Sequence, residues 1–478
     1  MAHHTPSSEG RAGPLGPPRT PLAPFRLLAR LSVIAAALAF VVAPAVALAQ
    51  SDSPAAAPAP QLTEATANAL GKLRDLTTAQ AYPDALVLLD QLLGTSAANS
   101  YDVALLSQIK AQVLLQQSRY TAAIAPLEHA FRLGETYAYF PAAAQLDSAF
   151  LLAQLYQQSA SESKVPADQR ARLASAATYL SRRLALSPAT TPEIQLFAAS
   201  LYYQQATLDS EKPDLAKLRE SRRAAEAGLV LQLRPANSLY VLILAALQQA
   251  SDYAGTAEIL ELLVEKTPAS SNYWQQLVAT YLTLASSAPD ERAANRYNLR
   301  ALLAIERAQT HGALLAPKEN FNRVALYLAL RQTDAALALL EKGLTDGTLE
   351  NTRRNWELLA NTYQQTQREP EAIAALQKAT AAFPDDGQLE FLLAQLLYSR
   401  NRPADSRRHL ERAISKGRLD HPGQTRLFLA YLAFETQSYD EADRWARETA
   451  TFDDVKKDDV ARLSKAIAEA LRARAANK

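Results

Sequence analysis

The chain of 478 residues contains no cysteine. Disulfide bonds, thiolate metal sites, a cysteine nucleophile and a lipidated N-terminal cysteine are therefore excluded. Histidine is scarce, with 6 residues, and no His-Glu-x-x-His pair occurs. The four histidines beyond the N-terminal segment are far apart in sequence: His129, His311, His409 and His421. Because a glycine-rich phosphate loop and a Gly-x-Ser-x-Gly elbow are also missing, the sequence predicts no enzyme, no cofactor and no metal site.

Neither sign of charge is in excess, since 50 Lys and Arg face 49 Asp and Glu. A nucleic-acid groove needs a clustered surplus of basic residues, so no nucleic-acid partner is predicted. Glycine and proline are sparse beyond residue 60, with 11 and 15 among the remaining 418 residues. A chain that is poor in helix breakers and 48% hydrophobic is predicted to be ordered and mostly helical.

The N-terminal segment has a different composition, because ten of the 25 prolines lie in the first 60 residues. Four arginines precede an apolar run over 31–49, which ends in Ala-Leu-Ala. This order is typical of a signal peptide over 1–49 that is cleaved after Ala49, and it predicts a periplasmic protein. The alternative is an uncleaved inner-membrane anchor facing the periplasm, for which the run is short and interrupted by Pro44. Membrane contact is expected only in that second case.

A 34-residue pattern recurs in the rest of the chain. In the unit that starts at Arg353, Trp356 falls at position 4 and Leu359 at position 7. Tyr363 follows at position 11 and Pro384 at position 32. Helical spacing places positions 4, 7 and 11 on one stripe of a first helix, and the proline ends a second helix.

The same phase appears in neighbouring units, where Pro268 at position 32 is followed by Trp274 at position 4 of the next unit. The spacing is that of tetratricopeptide repeats, whose hairpins must stack to bury their apolar faces. It predicts an all-α solenoid over 63–452, a right-handed superhelix of nine or ten helical hairpins. A Pro/Ala linker over 50–62 is expected before it, and a C-terminal capping helix over 453–478 after it.

Three units exceed 34 residues. Their extra length falls near 159–168, 206–216 and 285–291, between the two helices of a unit. We expect surface insertions there, either tolerated or used as contact points.

Tryptophans and paired acidic residues have predicted structural roles. Trp274, Trp356 and Trp445 are assigned to apolar core stripes. Acidic pairs at predicted helix starts are expected to cap free N–H groups: Asp385-Asp386, Asp453-Asp454 and Asp458-Asp459.

In tetratricopeptide arrays, positions 2, 5, 9, 12 and 13 of the first helix of each repeat point into a concave groove. In this chain they are mostly amides and tyrosines, which suit the backbone of an extended peptide of a protein partner. Glutamine is also a common solvated helix former, so a plain surface role stays open. No small-molecule substrate is predicted. The groove residues are Gln108, Gln112, Gln154, Gln157, Gln158, Tyr202, Tyr203, Gln248, Gln249, Asn361, Gln364, Gln365, Gln395 and Tyr398.

Two stretches resemble a narrower family, the periplasmic tetratricopeptide proteins associated with the TonB energy-transduction system of Gram-negative bacteria. They are Ser238–Leu282 and Asn355–Tyr363, supported by His421-Pro422-Gly423. The resemblance implies a non-enzymatic scaffold that binds TonB-system components and assists energy transduction across the cell envelope. The alternatives are an adaptor for outer-membrane assembly or polysaccharide export, and an enzyme-associated or enzymatic solenoid.

Overall fold

The structure is a computed structural model that describes residues 61–476. This part of the chain contains helices and no strand. The helices are α1 (Glu64–Thr78), α2 (Tyr82–Thr95), α3 (Tyr101–Gln116), α4 (Tyr120–Tyr137), α5 (Ala142–Glu162), α6 (Pro166–Leu186), α7 (Pro192–Ala206), α8 (Leu215–Val230), α9 (Asn237–Gln249), α10 (Tyr253–Lys266), α11 (Ser271–Ser286), α12 (Glu291–Thr310), α13 (Pro317–Ala329), α14 (Thr333–Asp346), α15 (Arg353–Gln365), α16 (Glu369–Ala382), α17 (Gly387–Ser399), α18 (Pro403–Lys416), α19 (Pro422–Glu435), α20 (Tyr439–Thr449) and α21 (Lys457–Ala476).

The chain divides between Lys212 and Pro213 into two compact units. The first unit contains α1–α7 and the second contains α8–α21. In each unit a helix packs mainly on its neighbours in sequence, and α21 packs on α20 and α19. We call the odd-numbered helices α1–α19 the A helices and the even-numbered ones the B helices. The predicted all-α array of helical hairpins, with a further helix after the last hairpin, is confirmed. The predicted signal peptide and residues 50–60 of the predicted linker lie outside the described residues.

The indole at position 4 of two repeats is hydrogen-bonded to the turn that precedes its helix, and in one of them the acceptor is the proline at position 32 of the unit before. Trp274 is 1% exposed, and its indole Nε1 donates to the carbonyl oxygen of Pro268 at 2.8 Å. The proline lies two residues past the end of α10, so this hydrogen bond holds the turn between α10 and α11. Trp356 is buried in the same way, with its Nε1 donating to Asn351 Oδ1 at 2.7 Å. Trp445 differs from this expectation, because it is half-buried between two core clusters.

The turn inside the hairpin has one geometry in seven helix pairs. Its central residue adopts a left-handed conformation with φ between 56° and 61°. In α15–α16 this residue is Gln367, and the N–H of Arg368 donates to the carbonyl oxygen of Tyr363 at 2.8 Å. This is the Schellman arrangement, in which glycine usually takes the left-handed position. Here no glycine does so, and the seven residues are Gln80, Ser118, Ser251, Arg331, Gln367, Asn401 and Gln437.

We expect Gln367→Gly to raise the free energy of unfolding by about 0.5–1 kcal/mol. Glycine removes the steric cost of the left-handed conformation, and part of that gain is offset by the greater entropy of the unfolded chain. Urea denaturation followed by circular dichroism measures the change. The matched control is Gln377→Gly in the exposed middle of α16, which should lower stability by about 1 kcal/mol. Equal losses in both variants would contradict the strain at Gln367.

The expectation of surface insertions was wrong at two of the three positions. Near 159–168 and 285–291 the extra residues lengthen the helices, so that α5 and α6 have 21 residues each and α12 has 20. Continuing a helix satisfies each added backbone group and buries side chains such as Ser159 and Ala293. Only the extra residues near 206–216 form a longer connection, between Ala206 at the end of α7 and Leu215 at the start of α8.

Two of the acidic pairs cap helices, one of them at a distance in sequence. Asp386 accepts from the N–H groups of Gln388 and Leu389 at the start of its own helix, α17. Asp454 instead accepts from the N–H of Gly423 at 3.0 and 2.9 Å and so caps α19. A Cβ atom on Gly423 would lie 2.2 Å from Asp454 Oδ1, so this close approach requires glycine.

Candidate protein-binding face of the A helices

Neighbouring A helices contact each other through uncharged side chains at their exposed face. Between α9 and α11, Gln248 Nε2 donates to Gln276 Oε1 at 2.8 Å. Gln276 Nε2 in turn donates to Asn272 Oδ1 at 3.2 Å. Between α17 and α19, the rings of Tyr398 and Phe428 meet edge to face with centroids 5.3 Å apart. The A helices therefore present amides and aromatic rings side by side.

The B helices contact each other through ion pairs instead. Arg307 on α12 pairs with Glu261 on α10 at 2.7 Å. Lys378 on α16 lies 3.6 Å from Glu341 on α14, and in the first unit Arg182 on α6 pairs with Glu135 on α4 at 3.2 Å. Several ion pairs thus join B helices, whereas α9 and α11 contain no charged residue. Other A helices do expose charged side chains, such as Asp147, Arg354 and Glu435.

The structure gives the predicted groove residues three kinds of environment. All of those in the second unit are exposed and lie on α9, α15 and α17. Those in the first unit are half-buried, with one exception. The exposed residues are Gln248, Gln249, Asn361, Gln364, Gln365, Gln395 and Tyr398, and the half-buried residues are Gln108, Gln112, Gln154, Gln158, Tyr202 and Tyr203.

Gln157 is the exception and corrects the prediction for that position. Its side chain is buried, and its Nε2 donates to Ser200 Oγ at 3.4 Å. This bond joins α5 to α7, so the amide of Gln157 stabilises the packing of two A helices and is not available to a ligand.

Further residues of the same face were not singled out from the sequence. Asn272 and Gln275 on α11 are exposed, and Gln276 lies beside them. Tyr431 on α19 is 43% exposed. Asn272 and Gln275 occupy positions 2 and 5 of their repeat, so the repeat register itself was the signal that could have found them. We call the set on α9, α11, α15, α17 and α19 the amide face: Gln248, Gln249, Asn272, Gln275, Gln276, Asn361, Gln364, Gln365, Gln395, Tyr398 and Tyr431.

Tyrosines near this face stay protonated over the physiological range. The hydroxyl of Tyr398 donates to Glu435 Oε2 at 2.9 Å. This hydrogen bond, and then burial, raise the pKa of Tyr398 above its ordinary value. Deeper in the array, burial and the hydrogen bond to Glu261 raise the pKa of Tyr281 to about 12. Each tyrosine therefore offers a neutral ring that is fixed by a carboxylate.

The chemistry of the amide face is that of hydrogen bonding without charge. Each amide provides two donors and an acceptor, which match the N–H and C=O groups of an extended backbone. Tyr398 and Tyr431 add flat apolar area with few rotatable bonds. Among residues 61–476 no three His, Asp or Glu side chains come together as metal ligands. No helix in the described range has the length and apolar character needed to span a membrane.

No protein-family model matches the chain, and no curated protein does. Solved tetratricopeptide structures are similar to it. One is a thermophilic TPR protein of Thermus thermophilus, with 21% identity over 42% of this chain and 100% of that chain and a TM-score of 0.24. Another is a tetratricopeptide repeat protein of Parabacteroides merdae, with 14% identity over 63% of this chain and 99% of that chain and a TM-score of 0.32. The TPR domain of P58(IPK) matches at 13% identity over 86% of this chain and 99% of that chain, with a TM-score of 0.21.

Because these TM-scores are low, the comparisons carry no argument about the fold. The fold is assigned from the order of the helices in this chain and from the residues that are buried at each repeat position. Trp274 and Trp356 at position 4, and Tyr281 and Tyr363 at position 11, are buried as the repeat pattern predicts. Position 4 of α17 is instead Glu390, and the α11–α12 hairpin lacks the left-handed turn. The described part of the chain is an all-α array of helical hairpins.

Proposed function

We propose that the protein is a non-enzymatic scaffold that binds an extended segment of a protein partner along the amide face. The observation that carries this proposal is the segregation of charge: ion pairs join the B helices, and exposed amides and tyrosines line the A helices. A neutral face of paired donors and acceptors favours main-chain recognition over recognition of a charged group.

The amide face is tested by changing Gln248, Gln249, Gln364 and Gln365 together to Ala. Peptides are first selected from a displayed random library on the purified protein, and their Kd is measured by fluorescence anisotropy. Each lost hydrogen bond is worth about 1 kcal/mol, so we expect binding to weaken by at least about tenfold. The control changes Gln91 and Gln377, two exposed amides of B helices, to Ala and should leave Kd unchanged. Unchanged binding by the folded four-residue variant would contradict the proposal.

For the biological partner, we propose a component of the TonB system in the periplasm. Support comes from the signal-peptide pattern over 1–49 and from the resemblance at 238–282 and 355–363. Cell fractionation tests the location, and cross-linking in intact cells tests the partner. Capture of TonB-system proteins by the wild type, and their loss with the four-residue variant, is the expected result. Capture of outer-membrane assembly or polysaccharide-export proteins instead would favour the adaptor role.

A further inference from the structure

The first unit contains a small pocket between α5 and α7, with a volume of about 330 Å³. Its floor is apolar and includes Leu146, Phe150 and Ile194. The ring of Phe150 is braced edge to face by Phe197 at 5.2 Å, so the floor is held by the packing of the two A helices. A pocket of this size is at the lower end of the range for small-molecule sites. It suits one large side chain of a partner.

Two carboxylates lie at the rim of this pocket. Asp147 on α5 and Glu193 on α7 line it, and both residues are exposed. Arg183 is the one basic residue among the lining residues, and it forms no salt bridge with either. Its guanidinium instead donates to the carbonyl oxygens of Ser187 and Ala189 at 3.1 and 2.6 Å. The guanidinium thus binds the α6–α7 connection and stays charged, so the two carboxylates and Arg183 together leave the pocket with one net negative charge.

Two glutamines follow the pocket residue Phe150 along α5. Helical spacing places Gln154 one turn beyond Phe150 and Gln158 one turn further on the same side. Both glutamines are half-buried, and Gln158 Nε2 donates to Glu162 Oε1 at 3.0 Å. A peptide that lies along these amides would pass the mouth of the pocket.

We infer that this pocket binds a lysine or arginine side chain of the partner, with the aliphatic stem on Phe150 and Ile194 and the cationic head between Asp147 and Glu193. A long basic side chain matches a pocket with an apolar floor and an acidic rim, because its methylene groups pack on apolar surface while its charged end stays in contact with water. The inference rests on the proposed scaffold function and adds the chemistry of one contact that a partner makes with the first unit.

The test uses peptides selected on the purified protein from the displayed random library. We expect enrichment of Lys or Arg at one position, and about tenfold weaker binding when that residue is changed to Met. In the Asp147→Asn, Glu193→Gln variant the basic and Met peptides should bind alike. The control, Asp75→Asn with Glu211→Gln, removes the same charge from exposed positions of the first unit and should keep the tenfold difference.

The outcomes separate the two proposals. Selected peptides that depend on the amide-face glutamines but contain no enriched basic residue would overturn the pocket assignment alone. The pocket assignment is also overturned if the Asp147→Asn, Glu193→Gln variant still binds the basic peptide about tenfold more tightly than the Met peptide, as the wild type does. If no peptide is selected at all, the proposed function fails and this inference fails with it.

Discussion

Replacing Glu390 with Ala is expected to lower the free energy of unfolding by about 3 kcal/mol, although the residue lies far from any proposed ligand. Glu390 is at position 4 of α17, where Trp274 and Trp356 lie in other repeats, and its side chain is only 4% exposed. It accepts from Lys416 Nζ at 2.8 Å and lies 2.5 Å from His409 Nδ1, both on α18. Removing the carboxylate leaves two partly buried basic groups facing each other, which is the costly way to break a buried ion pair.

Acidic pH should reduce the contribution of Glu390 to the free energy of unfolding. Burial opposes ionisation of Glu390, but the hydrogen bonds from His409 and Lys416 outweigh it, so the pKa of this carboxyl lies below its ordinary value. A folded-state pKa below the unfolded value of about 4.3 means that the stabilisation is present above that pH and is lost as pH falls through the folded pKa. Urea denaturation at neutral pH and at a series of pH values below about 4.3 measures both effects, and the acid-dependent loss should be smaller in Glu390→Gln.

Two control variants make this expectation specific. Glu411→Ala removes an exposed ion pair with Arg407 on the same helix and should cost at most about 1 kcal/mol. The combined change of Glu390 to Met, His409 to Leu and Lys416 to Met should recover most of the loss, since an apolar set of similar volume avoids the desolvation of charge. A Glu390→Ala variant as stable as Glu411→Ala would show that the buried triad does not stabilise α17–α18.

Trp274→Ala is expected to cost about 3–5 kcal/mol. The indole is 1% exposed at the centre of a core cluster formed by α10, α11 and α12. The substitution leaves a cavity and removes the hydrogen bond to the Pro268 carbonyl, which holds the turn between two repeats. The ring also lies under the guanidinium of Arg307 at 5.1 Å, so the mutation weakens the packing of α12 as well.

The measurement is urea denaturation followed by circular dichroism, with hydrogen exchange to localise the change. Neighbouring repeats stabilise each other, so protection should fall most in α10–α12. Trp445→Ala is the matched control, because this half-buried tryptophan should cost clearly less. Equal losses for the two variants would contradict the assignment of Trp274 as the anchor of the repeat register.

Much of the fold follows from spacing along the chain, because a hairpin repeat is local. Position 4, position 11 and the proline at position 32 are set by helical periodicity and by a turn within one unit, so Trp356, Tyr363 and Pro384 were sufficient to predict it. The hairpin turns escaped prediction, since Gln367 and its counterparts take a left-handed position that sequence rules reserve for glycine. The extra length of α5, α6 and α12 was not predicted, because a count of extra residues does not distinguish a loop from added helical turns.

The candidate face was predicted only in part. Register alone placed Gln248, Gln364 and Gln365 on the exposed side of the A helices, where the structure has them. Gln157 has the same residue type and is nevertheless buried, because α7 supplies Ser200 as its partner. A glutamine at a surface position and one at a helix–helix contact look alike until the neighbouring helix is in place.

The sequence by itself determined the class of the protein, an all-α repeat array, because periodicity and turn residues act within a few helical turns. Only the tertiary structure decided where charge is neutralised, as between Arg307 and Glu261 or within the triad of Glu390. It also decided that Asp454 caps α19 through Gly423 and that α5 and α7 enclose a pocket. The physical reason is distance along the chain: these contacts join residues that are 19 or more positions apart, and no local rule of spacing fixes which side chains meet there.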